Sequence, residues 1–242
     1  MPHQPLHRSS EQTDLLQRLL RRFEETDGAV AVFDLDGCLF DNRPRQVQIL
    51  REFAAQRGLD ALSGLSIEHF EDWDLRRTFQ NLGLDSDLID ALHDDARRHW
   101  LRHFFRSEYC LYDHAMPGAP RFVWSIYERG GYVVYLTGRD EEMRLGTETS
   151  LLRFGFPLRR PRTELIMKPF FHVSDAAFKQ EALREIATLG QPDLFLDNEP
   201  TNLNIFHDHF PDAQTIMVET DHSPEPVVPY DHLPRIKGFL ID

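Results

Sequence analysis

The sequence contains little cysteine, little lysine and no long apolar segment. Its two cysteines, Cys38 and Cys110, are far apart and lack the spacing of a metal site, so neither a disulfide scaffold nor a cysteine-ligated metal centre is expected. No segment approaches the ~20 apolar residues that a membrane-spanning helix needs, and the first residues lack the apolar stretch of a signal peptide. These absences predict a protein of a reducing compartment, with the cytoplasm as the expected location and no membrane contact.

The chain is strongly acidic, with a formal net charge of -13 at pH 7. Such a field repels the phosphate backbone of nucleic acids unless a local basic patch overcomes it, so nucleic acid is an unexpected partner. The hydrophobic share of 41% and the eighteen phenylalanines predict a folded globular protein. At 242 residues, the chain has room for one large domain, or for a core domain that carries a smaller insert.

Short apolar runs alternate with stretches of helical periodicity along the chain. Such alternation is typical of βαβ units and predicts an α/β fold, with a doubly wound, mainly parallel sheet and a Rossmann-like core. Residues 11–25 and 87–105 have the spacing of helices with one buried face. The runs that we predict to be strands are 29–33, 132–136, 164–167, 194–196 and 215–218.

The interval between the first two predicted strands is far longer than one crossover helix requires. Its apolar residues have helical spacing, which predicts an inserted α-helical subdomain. Pro44 suits the first turn of a helix, and the Met-Pro-Gly segment at 116–118 is typical of a returning loop. We therefore predict a helical insert at 42–114 and a core made of 1–41 and 115–242.

An apolar strand that ends in two acids is the strongest chemical signal in the sequence. The Val-Phe pair at 32–33 is followed by Asp34-Leu35-Asp36-Gly37. A carboxylate at the end of a buried strand can attack phosphorus and form an aspartyl-phosphate, and an acid two positions later can transfer protons to and from the reacting groups. Gly37 permits the sharp turn that follows. The alternative is that Asp34 and Asp36 only cap a turn before a helix.

These residues closely resemble the first motif of the haloacid dehalogenase-like superfamily. The resemblance implies that Asp34 is the nucleophile and Asp36 the general acid and base. The dehalogenases that named the superfamily lack the second acid, so Asp36 implies phosphoryl transfer rather than cleavage of a carbon–halogen bond. In this superfamily a helical insert after the first motif is a cap that covers the active site, which is the role implied for 42–114.

Thr137, Gly138 and Arg139 follow the second predicted strand and resemble the second motif of the superfamily. A hydroxyl and free backbone N–H groups at the end of a strand are the donors that phosphoryl oxygens require. The resemblance implies that Thr137 holds the phosphoryl group, with Gly138 and Arg139 beside it in the substrate site. Taken without the first motif, Thr137 and Gly138 are better explained as a strand-to-helix turn.

A phosphate site needs a cation, and the only lysines of the sequence are Lys168, Lys179 and Lys237. Lys179 lies in a predicted helix capped by Ser174, on the face of the apolar neighbours, where a cation needs an anionic partner. It resembles the lysine of the third motif, which neutralises the nucleophile and the phosphate. Lys168, at the end of a predicted strand, is the competing candidate, and an ordinary surface position stays open for either lysine.

The predicted strand at 194–196 ends in Asp197 and an Asn-Glu pair. The carboxyl ends of parallel strands meet at one edge of an open sheet, so Asp197 is expected beside the first motif. Crowded carboxylates suit Mg²⁺, which accepts a few of them together with water and phosphate oxygens. The segment resembles the fourth motif, which implies a Mg²⁺ site. The implied ligands are Asp34, Asp36 through its backbone carbonyl, Asp197 and Asn198, with Glu199 and Asn202 as open alternatives to Asn198.

All four motifs occur in the order of the superfamily, which implies a magnesium-dependent phosphatase. Its expected substrate is a small phosphorylated metabolite, hydrolysed through an aspartyl-phosphate. The segment 164–202 resembles the acid-phosphatase and polynucleotide-phosphatase branches, so a phosphatase of 3′ or 5′ nucleic-acid ends is the alternative enzyme, which the acidity of the chain disfavours. A phosphomutase stays open, whereas a phosphonate hydrolase is disfavoured because the insert contains no lysine.

The rival from a different class is a non-hydrolytic protein of the same fold that binds a phosphate compound. The intact pair of Asp34 and Asp36 argues against it, because binding alone does not require a nucleophile and a proton carrier. No feature of the sequence indicates an oligomeric state.

Overall fold

The computed structural model describes residues 10–71, 73–223 and 227–241. Within these ranges no helix has both the length and the apolar character needed to cross a bilayer. The helices are α1 (Ser10–Glu25), α2 (Arg43–Arg57), α3 (Leu75–Asn81), α4 (Ser86–Phe104), α5 (Ala119–Glu128), α6 (Arg144–Arg153), α7 (Asp175–Leu189) and α8 (Pro200–His209). The strands are β1 (Ala29–Phe33), β2 (Phe40–Asp41), β3 (His114–Ala115), β4 (Tyr132–Asp140), β5 (Thr163–Lys168), β6 (Gln191–Asp197), β7 (Gln214–Val218) and β8 (Arg235–Ile236).

The main sheet has six strands, all parallel, in the order β5-β4-β1-β6-β7-β8. The predicted α/β class is confirmed, and each of the five predicted strands is present. The sixth strand, β8, was not predicted, because two residues after a proline-rich segment carry no apolar pattern. Backbone bonds from Met217 N to Pro234 O, at 2.9 Å, and from Glu219 N to Ile236 O, at 2.8 Å, add it to the sheet.

β1 lies inside the sheet and is completely buried. Its side chains alternate between two apolar cores. Ala31 and Phe33 belong to the core that includes residues of α1 and α5, whereas Val30 and Val32 belong to the core that includes residues of α7 and α8. Burial on both faces explains why this strand has a continuous apolar run rather than an alternating pattern. Its polar continuation, which starts at Asp34, therefore emerges at the carboxyl edge of the sheet.

The chain between β2 and β3 forms a helical unit with an apolar cluster of its own. Phe53 of α2, Phe79 of α3 and Ile89 of α4 belong to this cluster, which is separate from the two cores of the sheet. β2 and β3 pair antiparallel where the chain leaves the core and returns to it. The helix predicted at 87–105 is confirmed as α4. The division at 42–114 stays a prediction, because a separate apolar cluster does not by itself define a domain.

Helix α6 meets the helical unit through a glycine. Gly146 donates its backbone N–H to Ser107 Oγ at 2.7 Å, and a Cβ atom added to Gly146 would lie 1.8 Å from the carbonyl oxygen of Ser107. No side chain fits at that distance, so the backbone approach requires glycine at this position of α6.

We expect Gly146→Ala to destabilise the protein by about 1–3 kcal/mol, the usual cost of overpacking. Alanine favours helices by roughly 1 kcal/mol over glycine, so a net loss would show that the contact with Ser107 dominates. The free energy of urea unfolding measures the effect. Gly64→Ala is the control, because the nearest atom to its added Cβ is Leu82 Cδ1 at 3.7 Å. Equal or greater stability of Gly146→Ala would contradict the close approach.

Candidate active site

The carboxyl ends of β1, β4 and β6 border a cavity of about 400 Å³. All six residues predicted to be catalytic or to bind substrate line it together, and so do the alternative candidates Lys168, Glu199 and Asn202. Asp197 does not line the cavity but is hydrogen-bonded to Lys179, which does. Asn198, the next residue in the chain, is buried. The six predicted catalytic and substrate-binding residues are Asp34, Asp36, Thr137, Gly138, Arg139 and Lys179.

Lys179 lies between the carboxylates of Asp34 and Asp197. Its Nζ donates to Asp34 Oδ1 at 2.6 Å and to Asp197 Oδ2 at 2.7 Å, and all three residues are buried. β1 ends directly before Asp34, and β6 ends at Asp197. Lys179 belongs to the second turn of α7, whose N-cap is Ser174, as predicted; the Ser174 hydroxyl accepts from a backbone N–H of the first turn. Two strand ends and one helix therefore bring this triad together.

Burial and mutual charge shift the pKa values of this triad. Burial raises the pKa of the Asp34 carboxyl well above its usual range, Lys179 counteracts this effect, and Asp197 adds to it. Burial alone would lower the pKa of Lys179, but the carboxylates of Asp197 and Asp34 raise it above its ordinary value. Lys179 is therefore a fixed positive charge at neutral pH, and it is the group that offsets the cost of burying Asp34 and Asp197.

Asp36 is held by two buried arginines. Arg139 Nε donates to Asp36 Oδ2 at 2.7 Å and Arg139 Nη2 donates to Oδ1 at 2.8 Å, which makes the pair bidentate. Arg45 Nη2 donates to Oδ1 at 3.1 Å, and Asn42 Nδ2 donates to the same oxygen at 3.4 Å. Burial alone would raise the pKa of Asp36, but Arg139 and Arg45 lower it far below its usual range. Asp36 is therefore ionised in this arrangement.

Asp113 is a second carboxylate that pairs with the same two arginines. It is fully buried, accepts from Arg45 Nε at 2.7 Å and from Arg45 Nη2, and accepts from Arg139 Nη2 at 2.8 Å. Sequence reasoning missed both Arg45 and Asp113. Arg45 lies on α2 and Asp113 just before β3, and no spacing rule connects positions 45, 113 and 139. A buried arginine cannot be distinguished from a surface arginine by sequence pattern alone.

Thr137 and Gly138 lie in β4 at the cavity, where the pairing of β4 with β5 shifts register after Thr137. Thr137 is buried, and its Oγ1 accepts from the backbone N–H of Arg139 at 3.2 Å. A Cβ atom added to Gly138 would lie 2.4 Å from Asp175 Oδ2, at the start of α7, so a larger residue would displace that carboxylate. Gly138 therefore permits a close approach between β4 and α7, which was not predicted from the sequence.

Lys168, the competing lysine, also lines the cavity. Its Nζ donates to Asp175 Oδ1 at 2.6 Å, and its side chain is buried, whereas that of Asp175 is exposed. Lys168 thus has a carboxylate partner at the rim of the cavity, while Lys179 contacts the two carboxylates at the strand ends. The geometry separates the two lysines by their partners, since Lys179 is hydrogen-bonded to Asp34 and Lys168 to Asp175.

The segment after β6 contains the three alternative candidates for the remaining metal ligand, Asn198, Glu199 and Asn202. Asn202 Nδ2 donates to Asp197 Oδ2 at 3.0 Å, and the backbone N–H of Glu199 donates to Asp197 Oδ1 at 2.8 Å. The Glu199 carboxylate accepts from the N–H and the hydroxyl of Ser223. Asn198 donates through Nδ2 to a backbone carbonyl, but its Oδ1 is buried and has no hydrogen-bond partner in the described part of the chain. Asn198 therefore offers a buried oxygen that lacks a donor or a cation.

Five aromatic residues also line the cavity, and we call them its aromatic wall. Trp73, Trp100, Phe104 and Phe105 come from the helical segment, and Phe171 comes from the loop between β5 and α7. Phe105 and Phe171 meet edge to face with 4.8 Å between ring centroids, so the wall continues from one segment to the other. The cavity therefore has a charged floor and an aromatic wall.

In the described ranges, no group of three or more His, Cys, Asp or Glu side chains is arranged to hold a metal ion. The candidate oxygen donors are instead of mixed type: the carboxylates of Asp34 and Asp197, which share Lys179, and the amide oxygen of Asn198, which has no hydrogen-bond partner in the described part of the chain. Hard oxygen donors of this kind fit Mg²⁺ rather than zinc, which takes nitrogen and sulfur. The donor chemistry is thus compatible with magnesium.

No protein-family model matches the sequence, and no curated protein sequence matches it. Solved structures do match. A structure described as "Putative Phosphatase" from Clostridium difficile aligns with a TM-score of 0.53 and 14% identity, over 82% of this chain and 87% of that one. A haloacid dehalogenase-like family protein from Streptococcus pneumoniae aligns with a TM-score of 0.48 and 13% identity, over 81% and 88% of the two chains.

A Had-superfamily hydrolase from Ehrlichia chaffeensis aligns with a TM-score of 0.48 and 13% identity, over 87% of this chain and 91% of that one. Similarity at such low identity establishes the fold and leaves the activity to be inferred from the site. The parallel sheet, its flanking helices and the match to the Clostridium difficile protein agree with the fold that the motifs implied. The chain therefore has a doubly wound, parallel α/β fold of the Rossmann-like type, which it shares with the Clostridium difficile protein.

Proposed function

We propose that this protein is a magnesium-dependent phosphatase that hydrolyses a phosphate monoester through an aspartyl-phosphate on Asp34. The observation that carries the proposal is the contact of Lys179 with both Asp34 and Asp197 at the floor of the cavity. A carboxylate that only caps a turn has no need of a buried lysine shared with a second strand end. A nucleophile beside a phosphoryl group does, because the negative charges of both must be offset.

In the first proposed step, an oxygen of Asp34 attacks phosphorus, the bond from phosphorus to the ester oxygen breaks, and the leaving alcohol takes a proton from Asp36. In the second, water attacks phosphorus, gives its proton to Asp36, and releases phosphate and the Asp34 carboxylate. Thr137, Gly138 and Arg139 line the cavity beside Asp34, where they would bind the phosphoryl oxygens. Lys179 offsets the charge throughout.

The ion pairs of Asp36 with Arg139 and Arg45 affect its proposed role as proton carrier, because they change its pKa. The lowered pKa of Asp36 suits the second step, in which an ionised carboxylate accepts a proton from water. The first step needs a protonated Asp36. A phosphate group that enters the cavity offers Arg139 and Arg45 a new anion, and each hydrogen bond that they transfer to it weakens their hold on Asp36. Substrate binding would thereby raise the pKa of Asp36 toward the value that a proton donor needs.

A divalent cation fits the charge of this site. The buried groups that hydrogen bonds link to Asp34 and Asp36 carry a formal excess of one negative charge before substrate binds, and a phosphate monoester would add up to about two more. Asp34, Asp197 and Asn198 would hold Mg²⁺, and the resemblance adds the backbone carbonyl of Asp36. Bound there, Mg²⁺ supplies Lewis-acid stabilisation of the phosphoryl oxygens. The buried charges counted are the carboxylates of Asp34, Asp36, Asp113 and Asp197 and the cations Arg45, Arg139 and Lys179.

The helical segment 42–114 would act as the cap. In support, Arg45, Trp73, Trp100, Phe104 and Phe105 line the cavity together with the residues of the sheet edge. A cover of this kind excludes water from an aspartyl-phosphate until the leaving group has departed.

We expect Lys179→Met to lower kcat by roughly 10²–10³-fold, the scale on which a preorganised charge at a developing anion acts. Lys168→Met should cost less than about tenfold, since Lys168 is paired with Asp175 rather than with Asp34. Steady-state hydrolysis of 4-nitrophenyl phosphate measures both variants, and thermal melts check that each is folded. If Lys168→Met lost more kcat than Lys179→Met, the phosphate-binding role would belong to Lys168.

The proposed function is tested first by phosphate release from a panel of monoesters with Mg²⁺ or with EDTA. The panel contains mononucleotides, sugar phosphates and oligonucleotides phosphorylated at the 3′ or 5′ end. We expect release that EDTA abolishes and added Mg²⁺ restores. Preference for oligonucleotides would favour a phosphatase of nucleic-acid ends. Binding of a monoester without any metal-dependent release would identify a non-hydrolytic binding protein.

A further inference from the structure

The aromatic wall of the cavity is more than the packing of the helical segment. Trp100 and Phe104 stack at 4.4 Å with an interplanar angle of 20°, which is ordinary packing between neighbours on α4. Phe171 is different, because it belongs to the loop between β5 and α7 and is 55% exposed. Its edge-to-face contact with Phe105 places it at the cavity. An exposed phenylalanine that lines a cavity leaves apolar surface for a ligand to cover.

Both indole groups of the wall lack a hydrogen-bond partner. The Nε1 atoms of Trp73 and Trp100 are buried, and neither finds an acceptor in the described part of the chain. An indole N–H is a donor only, and tryptophan usually satisfies it when it is buried. Trp73 and Trp100 meet edge to face at 6.3 Å, so the two unsatisfied donors lie in one part of the wall. Both nitrogens are buried, so a ligand in the cavity would meet the accessible parts of these rings rather than their N–H groups.

We propose that the leaving group of the substrate carries a planar aromatic ring, as a nucleoside monophosphate does, and that the ring binds against Trp73, Trp100 and Phe171. This inference rests on the proposed phosphatase function. The charged floor binds the phosphate, and the aromatic wall stacks on the ring. The cavity of about 400 Å³ falls within the range of small-molecule sites, roughly 300–1,000 Å³.

Binding can be tested without turnover through tryptophan fluorescence. The chain has three tryptophans, and Trp124 lies on α5, where its indole donates to the carbonyl of Gly155. The double variant Asp34→Asn, Trp124→Phe therefore leaves Trp73 and Trp100 as the only emitters and prevents hydrolysis. Adenosine monophosphate should quench this emission saturably, because stacking brings the base against the indoles. Glycerol 3-phosphate, which has no ring, should compete for the site without comparable quenching.

Specificity is tested by the ratio of kcat/KM for adenosine monophosphate to kcat/KM for glycerol 3-phosphate. We expect this ratio to exceed about ten, and Phe171→Leu and Trp100→Leu each to lower it roughly tenfold, the scale of one lost stacking contact. The ratio cancels any general loss of activity in a variant. Phe170→Leu is the matched control, because Phe170 is 62% exposed, is the neighbour of Phe171, and does not line the cavity. Its ratio should equal that of the unaltered protein.

The outcomes separate this inference from the function on which it rests. Metal-dependent release from glycerol 3-phosphate at the same kcat/KM as from adenosine monophosphate, unaffected by Phe171→Leu, would overturn the aromatic specificity and leave the phosphatase intact. Release from no monoester would overturn the phosphatase. Saturable quenching by adenosine monophosphate in that case would still support a site for an aromatic phosphate compound. Phe171 is exposed, so its variant stays informative even if Trp100→Leu fails to fold.

Discussion

Replacement of Asp34 by Asn is expected to lower kcat by at least roughly 10³-fold, since loss of a nucleophile has effects of this size or larger. The amide keeps the shape of the side chain but cannot attack phosphorus. The neighbouring carboxylates are already engaged and cannot replace Asp34 as the nucleophile. Asp36 is engaged by arginines, and Asp197 is fully buried and also paired with Lys179. Phosphate release under saturating Mg²⁺ measures the loss.

The same variant should remain folded. Burial of the Asp34 carboxylate is costly, as its raised pKa indicates, and a neutral amide avoids that cost. Lys179 loses one anionic partner but keeps Asp197. We therefore expect a Tm within a few degrees of the parent value. Asp212→Asn, at an exposed position after α8, is the control for the chemical change itself. Substantial turnover by Asp34→Asn would refute the nucleophile assignment.

Replacement of Asp113 by Asn is expected to have the largest effect on stability. Asp113 is fully buried and pairs with Arg45 and Arg139, which are buried as well. Removal of its charge leaves two guanidinium groups with Asp36 as their only carboxylate among the described residues. Breaking a buried ion pair by removing one partner costs about 3–5 kcal/mol, because a buried charge is left uncompensated. The free energy of urea unfolding measures this cost.

An exposed ion pair provides the comparison for this variant. Asp90 pairs with Arg76 at 2.6 Å, and the two side chains are 66% and 43% exposed. Asp90→Asn should change the free energy of unfolding by no more than roughly 1 kcal/mol, because solvent screens the pair. If Asp113→Asn cost no more than Asp90→Asn, the buried network would not stabilise the fold. The arginines would then be held by other contacts, among them the packing of Arg45 on the Phe104 ring at 4.5 Å.

The fold was predictable from local pattern to an unusual extent. β1 spans the predicted residues, Ala29–Phe33, because a strand buried on both faces must be continuously apolar. α7 begins after Ser174, because a hydroxyl that accepts from a free N–H of the first turn favours a helix start there. β8 was not predicted, because it is a strand only through its pairing with β7 and its two residues are too few to show an apolar periodicity. Patterns that repeat along the chain are readable, and pairings between distant segments are not.

In the candidate site as well, local features were predictable and pairings between distant segments were not. The motif acids and lysines could be named from the sequence because each stands at a strand end or in a helix whose position is a local property. Which partners they take is a long-range property. Lys179 rather than Lys168 contacts Asp34, and Arg45 meets Asp113 across 68 positions of the chain.

The sequence of this protein thus suffices for its α/β class, its strands and the identity of the residues at the carboxyl edge of the sheet, since these follow from apolar periodicity and turn chemistry. The assembly of the buried charges and of the aromatic wall belongs to the folded chain alone. Asp36, Arg139 and Asp113 form one network, and Phe171 meets Phe105, because packing brings distant segments together. Their pKa values and exposure depend on burial and on neighbouring charge, which exist only after that packing.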